Sequence, residues 1–240
     1  MTAPISPART RGAGHLEAPS LVSMAADAIR KQILSGALEP GARLIEERLT
    51  EELAISRPPL REALRLLETE GVIVRVPRHG AFVRTLTDQD VAEILTIRSA
   101  LERLAFETGI PVAHPHRLDS VRSALTEMER CAREKDRGAL VQAGYAFHSA
   151  LIEIAGNAQL EEIYASVQQK IILCMARNLI ARERYYEDLD SHVKRHRYLL
   201  QLVEAGDPDA ALAELAVHGE RSFENRRIPM AAEDPLGSFA

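Results

Sequence analysis

Hydrophobic positions recur at helical spacing through most of this chain, and the exceptions fall in one short window. Leu21, Ala25, Ala28, Ile29 and Ile33 form a stripe over Leu21 to Ser35, and Gly36, Pro40 and Gly41 end it, which predicts a helix and a turn. Glu46 to Leu53, with Leu49 and Leu53 four apart, predicts a short second helix, and Ala54-Ile55-Ser56 has the length of a tight helix-turn-helix connection. Ser56 then offers an N-cap, while Pro58 and Pro59 are tolerated only in a first turn, where no intrahelical N–H bond is required. A third helix is therefore predicted from about Arg57. Leu60, Ala63, Leu64 and Leu67 make its apolar stripe, and Arg57, Arg61 and Arg65 recur every four residues on another face. Past Gly71 the period changes: Val72, Ile73, Val74 and Val76 give a β-rich run that Pro77 to Gly80 turns back into Ala81, Phe82 and Val83, a two-stranded wing.

After a short linker from Arg84 to Thr87, no strand pattern competes with helix. Asp88 opens a helix through about Thr108, which Gly109 ends. Further helices are predicted at about 115–135, 137–155, 158–183, 187–205 and 208–226, separated by Pro115, Gly156-Asn157 and Gly206-Asp207-Pro208. The predicted fold is mainly α: an N-terminal winged helix-turn-helix over residues 20–86 with a small β-wing, then an all-α antiparallel helical bundle over residues 88–227. Residues 1–19, without periodicity, are predicted to be a disordered arm, and residues 228–240 a flexible tail.

Composition fits two domains, since 240 residues at 46% hydrophobic exceed one small core. No apolar run reaches membrane-spanning length and the first 20 residues lack a signal-peptide core, so a cytoplasmic protein without membrane contact is expected. Cys131 and Cys174 stand far apart without CxxC spacing, which favours buried thiols over a disulfide or zinc knuckle. The charge distribution says more than the total. The chain carries a net charge of −5, yet Arg57 to Arg84 holds six arginines against three glutamates, so positive charge is concentrated on the predicted unit. In such units the N-terminal end of the second unit helix enters the major groove, where arginine pairs with guanine O6 and N7 or binds phosphate. Arg57 and Arg61 stand at that end. On residues alone, a solvated arginine face remains the alternative.

Ile33-Leu34-Ser35-Gly36-Ala37-Leu38-Glu39-Pro40-Gly41, Ser56-Arg57-Pro58-Pro59-Leu60-Arg61-Glu62-Ala63-Leu64, Glu70-Gly71 and Arg78-His79-Gly80 resemble, in order and spacing, the GntR family of bacterial winged-helix regulators. The resemblance covers about residues 20–86. It implies that Ser56, Arg57 and Arg61 touch a double-stranded DNA operator, with Pro58, Arg65 and His79 beside them and Gly80 at the wing tip near the minor groove. Fatty-acid-responsive members carry a basic residue on the second helix where this chain has Glu47.

In the second domain His148, His196 and His218 lie on separate predicted helices among apolar neighbours. Imidazoles converging from three helices can hold one divalent cation and leave positions open for a ligand. On residues alone the alternative is three unrelated histidines, each hydrogen-bonded in a core or solvated at an edge, as expected for His114, His116 and His192. Phe147-His148, Gly156-Asn157, His196 followed by Leu199-Leu200, Gly206-Asp207, Ala210-Ala211 and His218 resemble the FCD effector domain of the FadR-like branch, over about residues 90–226. That resemblance implies dimerisation through the helical domain, a two-fold symmetric operator, and a metal such as zinc or nickel on the three histidines. Metal-containing members place an Asp four residues before the first histidine; here the position is Gly144, which removes an anionic ligand and lowers the expected affinity. Arg98 matches an arginine that often lines the effector pocket, where its planar fork suits a carboxylate; an exposed Arg98–Glu102 pair is the alternative from spacing. The expected function is a ligand-responsive transcription regulator, a homodimeric repressor relieved by a small anionic metabolite such as a carboxylate or sugar acid that binds beside Arg98, His148, His196 and His218. Two other readings are a three-histidine metalloenzyme with an attached winged helix and a regulator without ligand. The enzyme lacks support from any HExxH helix, paired carboxylates, Ser/His/Asp order or phosphate-cradling loop that would complete a catalytic site.

Overall fold

The computed structural model describes residues 20–185 and 188–220; the expected arm at 1–19 and tail at 228–240 lie outside the described residues. Helix α1 (Leu21–Leu34) starts where the Ser20 hydroxyl accepts the Ser23 N–H at 3.1 Å. Its buried residues, Ala25, Ala26, Ile29, Ile33 and Leu34, pack on α3 (Arg57–Thr69), whose stripe of Leu60, Ala63, Leu64 and Leu67 is fully buried. Between them α2 (Glu46–Leu53) ends at Ala54 in the left-handed conformation, which lets the chain reverse into α3 within three residues. Ser56 occupies the N-cap position by backbone but makes no capping hydrogen bond, contrary to expectation. With the proline pair holding the first turn of α3 in helical φ, the start needs no hydroxyl cap.

The wing has three strands, where the sequence suggested two. Strands β1 (Arg43–Leu44), β2 (Ile73–Val76) and β3 (Gly80–Val83) form an antiparallel sheet in the order β1-β3-β2. The third strand exists because central β3 has two edges to satisfy: Gly41 N–H donates to the Val83 carbonyl at 3.0 Å, and Val83 N–H to the Ala42 carbonyl at 2.9 Å. Two residues are too few to display an alternating pattern, so β1 left no signal of its own.

The second domain is all-helical among its described residues: α4 (Asp88–Gly109), a 3₁₀ turn (Pro115–Leu118), α5 (Asp119–Glu134), α6 (Arg137–Glu153), α7 (Ala158–Ser166), α8 (Gln168–Tyr185), α9 (Leu189–Ala205) and α10 (Pro208–Glu220). Thr87 and Asp90 close a reciprocal capping box at the start of α4. Helix α6 is the centre of the bundle, packed against α4, α5, α7 and α8 and against α1 of the other domain. The helix expected over 158–183 is broken at Val167 (φ −103°, ψ 6°), whose N–H bonds back to the Tyr164 carbonyl at 3.3 Å. Neither proline nor glycine marks the break. Among the described residues, no helix is long and apolar enough to cross a membrane.

The end of α4 meets the end of α6 at Gly109, where an added Cβ would lie 2.8 Å from Ile154 Cγ1 and 2.9 Å from the Ala155 backbone nitrogen. Backbone cannot move aside as a flexible side chain can. Gly109→Ala is therefore expected to destabilise the domain by about 1–3 kcal/mol through overpacking, read as a lower urea midpoint at unchanged slope; an unshifted midpoint would refute the close contact. The two domains are joined by Lys31–Asp136 at 2.7 Å and by Arg177, which donates to the Leu86 carbonyl at 3.1 Å.

Candidate functional site

Helix α3 sorts its residues as the sequence suggests: the leucine face is buried, and Ser56, Arg57, Pro58, Arg61 and Arg65 are exposed. His79 and Gly80 are exposed at the wing turn, where Arg78 (φ 66°) and Gly80 (φ 108°) take left-handed conformations. The arginines differ in how they are held. Arg61 Nε pairs with Glu46 Oε2 at 3.0 Å and Arg65 Nη1 with Glu62 Oε1 at 2.7 Å, whereas Arg57 has no carboxylate partner among the described residues. Arg75 pairs with Glu68 at 3.1 Å. Arg43 on β1, not singled out from the sequence, stands against the wing tip: a Cβ on Gly80 would be 3.5 Å from its Nε. On α2, exposed Glu47 is followed by exposed Arg48, so the basic residue on that helix sits one position later.

In the second domain the structure brings His148 of α6, His196 of α9 and His218 of α10 together, and all three are buried. Their Nε2 atoms face one another, with His148 to His196 at 3.3 Å and His218 to His196 at 3.4 Å. The outer nitrogens fix how those atoms are protonated. His196 Nδ1 donates to the His192 backbone carbonyl at 2.9 Å, an acceptor only, so its Nε2 carries a lone pair. His148 Nδ1 lies 3.2 Å from Glu102 Oε1, close but not aligned as a hydrogen bond, which favours the proton on Nδ1 and a second lone pair on Nε2. His218 Nδ1 lies 3.9 Å from Glu214 and makes no hydrogen bond. Burial pushes all three imidazoles below the ordinary histidine value, His196 and His218 well below, so each ring is held neutral as a metal ligand must be. His192 supplies the carbonyl to this group, while His114 and His116 stack on each other at the exposed 3₁₀ turn.

Arg98 and Glu102 form the pair expected from their spacing, but inside the core: Nε to Oε1 is 2.7 Å, and the side chains are 8% and 4% exposed. The same Oε1 accepts the Tyr164 hydroxyl at 2.9 Å. Burial alone would raise the Glu102 carboxyl, but the charge of Arg98, with His148 beside it, overcomes this and holds it well below the carboxylate range. Glu102 is thus an anion fixed between Arg98, Tyr164 and His148. Sequence reading missed both Glu102 as a site residue and Tyr164. A signal existed for the first: Arg98 and Glu102 fall on the face of α4 that buries Val91, Ala105 and Phe106, a charged pair set within an apolar stripe.

Gly144 is buried one turn before His148, and a Cβ there would meet Met175 Cε at 3.0 Å and Met128 Cε at 3.8 Å. Methionine methyls therefore fill the place of a side chain at 144. Both cysteines are buried free thiols, and burial pushes Cys131 up to about 11 and Cys174 up to about 12, which keeps them protonated and inert.

Residues 21–83 match the bacterial regulatory proteins of the gntR family, and residues 93–221 match the FCD domain. The chain is 31% identical to a probable D-xylose utilization operon transcriptional repressor of Paenarthrobacter nicotinovorans, over 83% of this chain and 85% of that protein. It is 29% identical to the gluconate operon transcriptional repressor of Bacillus licheniformis, over 78% of this chain and 77% of the relative. The fold is similar to that of a GntR transcriptional regulator from Rhodococcus sp. RHA1, with a TM-score of 0.68 at 23% identity, covering 84% of this chain and 94% of that one. These relatives are regulators rather than enzymes. A winged helix matching one family model, followed by a helical bundle matching the other, places the chain: it belongs to the GntR family of transcription regulators, in the branch that carries an FCD domain.

Proposed function

We propose that this regulator binds a two-fold symmetric operator as a homodimer and is released from it when a small anionic metabolite enters the helical domain beside Arg98, His148, His196 and His218. The observation that carries the reading is the buried convergence of three Nε2 atoms, two of them lone-pair bearing, the group that could hold an ion among the described His, Cys, Asp and Glu side chains. Such a set is repulsive without a shared proton or cation, and its neutral imidazoles suit a divalent ion such as zinc or nickel. A bound ion would supply a Lewis-acidic anchor for a carboxylate. Three imidazoles leave its charge uncompensated, and Glu102 is already matched by Arg98, so an anionic effector is the electrostatic complement of the centre. Two relatives are named for operons of a sugar and of a sugar acid, which favours a carboxylate or sugar acid as effector and repression as the mode.

On the DNA side, Ser56, Arg57, Pro58, Arg61 and Arg65 face the major groove, with His79 and Gly80 on the neighbouring minor groove or backbone. The domain contacts at Lys31–Asp136 and from Arg177 to the Leu86 carbonyl give movement in the bundle a route to the placement of two winged helices. The site of action is the cytoplasm. His196→Ala is expected to leave DNA affinity unchanged and to abolish the effector response. Binding of DNA from the gene's own upstream region, followed by fluorescence anisotropy with and without candidate sugar acids, checks both; lost DNA binding in a folded variant would make His196 structural and defeat the proposal.

A further inference from the structure

We infer that the histidine centre selects borderline, nitrogen-preferring cations over hard oxygen-preferring ones, and that Met175, packed into the space left by Gly144, sets this selectivity. The inference rests on the three histidines being a cation site. Residues 144 and 148 are one helical turn apart on α6, so a side chain at 144 would share the face of His148. A carboxylate there would add an oxygen ligand beside the imidazole. Instead the Met175 methyl stands 3.0 Å from where a Cβ would be, and the Met128 methyl closes the other side at 3.8 Å. Both methionines are buried, so the space that a side chain at 144 would enter is lined by methyl groups.

The nearby carboxylates do not repair this. Glu102 lies at the Nδ1 edge of His148, away from the converging Nε2 atoms, and its Oε1 is committed to Arg98 and Tyr164. Glu214 is 3.9 Å from His218 Nδ1, again the outer nitrogen. Among the described His, Cys, Asp and Glu side chains, three imidazole nitrogens are what converges on the centre. Imidazole suits Zn²⁺, Ni²⁺ and Cu²⁺, whereas Mg²⁺ and Mn²⁺ favour carboxylate, carbonyl and water oxygens. Methyl groups at the position of a 144 side chain supply neither an oxygen ligand nor a hydrogen-bond partner for the ordered water shell that a hard ion retains.

The test is thermal unfolding of full-length protein, purified without an affinity tag and stripped with chelator, titrated separately with Zn²⁺, Ni²⁺, Mn²⁺ and Mg²⁺, with bound metal quantified. The wild-type chain should gain stability with Zn²⁺ and Ni²⁺, and should need at least about a hundredfold more Mn²⁺ or Mg²⁺ for the same shift. Gly144→Asp combined with Met175→Ala, which adds the carboxylate and makes room for it, should tighten Mn²⁺ by about tenfold or more. Gly144→Ala with Met175→Ala, adding bulk without charge, should not. If Zn²⁺ and Mn²⁺ stabilise the wild type alike, the selectivity is wrong while the cation site stands. Should the Asp-containing double variant, folded by circular dichroism, bind Mn²⁺ no better than the Ala-containing one, the role of position 144 and Met175 falls. If no ion shifts the wild type more than it shifts His196→Ala, the cation site itself falls, and the selectivity with it.

Discussion

Glu102→Ala is expected to cost about 3–5 kcal/mol of folding stability, the range found when one partner of a buried ion pair is removed. The mechanism is the charge left behind. Arg98 is 8% exposed and takes its 2.7 Å contact from Glu102, so without the carboxylate a guanidinium remains in the core with no counter-ion. Tyr164 loses the acceptor of its hydroxyl at 2.9 Å, and His148 loses the anion at its Nδ1 edge. For a domain of this kind, whose total stability is on the order of 5–15 kcal/mol, a loss of that size is a large fraction of the whole. Chemical denaturation followed by circular dichroism reads it, and a loss below about 1 kcal/mol would contradict the buried pair. Arg98→Met with Glu102→Leu separates cause from coincidence: removing both charges should recover most of the loss, because an apolar pair of similar volume replaces a desolvated ion pair at little cost. That recovered protein should still fail to respond to effector. A stable yet unresponsive double variant would place the function of the pair in recognition rather than in holding the bundle together.

The same pair shows where sequence reading stops. The helix observed over Asp88–Gly109 is legible because Asp88 marks its start and Gly109 its end, and the third helix is legible because proline and serine punctuate its start. The burial of Arg98 and Glu102 is not, since four-residue spacing suits an exposed pair and a buried one equally; what decides is that neighbouring helices pack over α4, with His148 of α6 and Tyr164 of α7 brought against Glu102. Similarly, His148 and His196 stand 48 residues apart and His196 and His218 22, separations that carry no geometry until three helices cross. Family resemblance supplied their grouping, and the bundle supplied the reason: each histidine projects from the inner face of its own helix. The two misses among elements share one cause. Strand β1 and the break at Val167 are dictated by tertiary demand, an open edge of β3 in one case and the burial of Tyr164 before the turn in the other, and neither needs a proline or glycine to announce it. Met175 was illegible for the opposite reason: as a buried methionine in an apolar run it looks like any core residue until the glycine opposite it is seen.

Arg57→Ala is expected to weaken operator binding by about 1–3 kcal/mol if the guanidinium pairs with a guanine, with the fold unchanged. The fold should be indifferent because Arg57 is exposed at the first position of α3 and makes no ion pair among the described residues. DNA should not be indifferent, because that helix start places the positive end of the helix dipole next to the side chain. Arg61 makes a useful comparison. Its Nε is held by Glu46 at 3.0 Å, so its orientation is fixed before binding while part of its charge is already balanced. Arg61→Ala should therefore lower affinity too, whereas Glu46→Ala, which frees Arg61, should raise nonspecific binding and steepen its salt dependence. The two kinds of contact are distinguishable for each arginine by titrating operator and unrelated DNA over a range of salt. A base contact loses affinity for the operator alone; a phosphate contact loses it for both, with the log–log salt slope falling by about one. Unchanged affinity in both arginine variants would remove α3 from the groove, since Arg57 and Arg61 stand on the exposed face at the start of that helix, where a groove contact would have to be made.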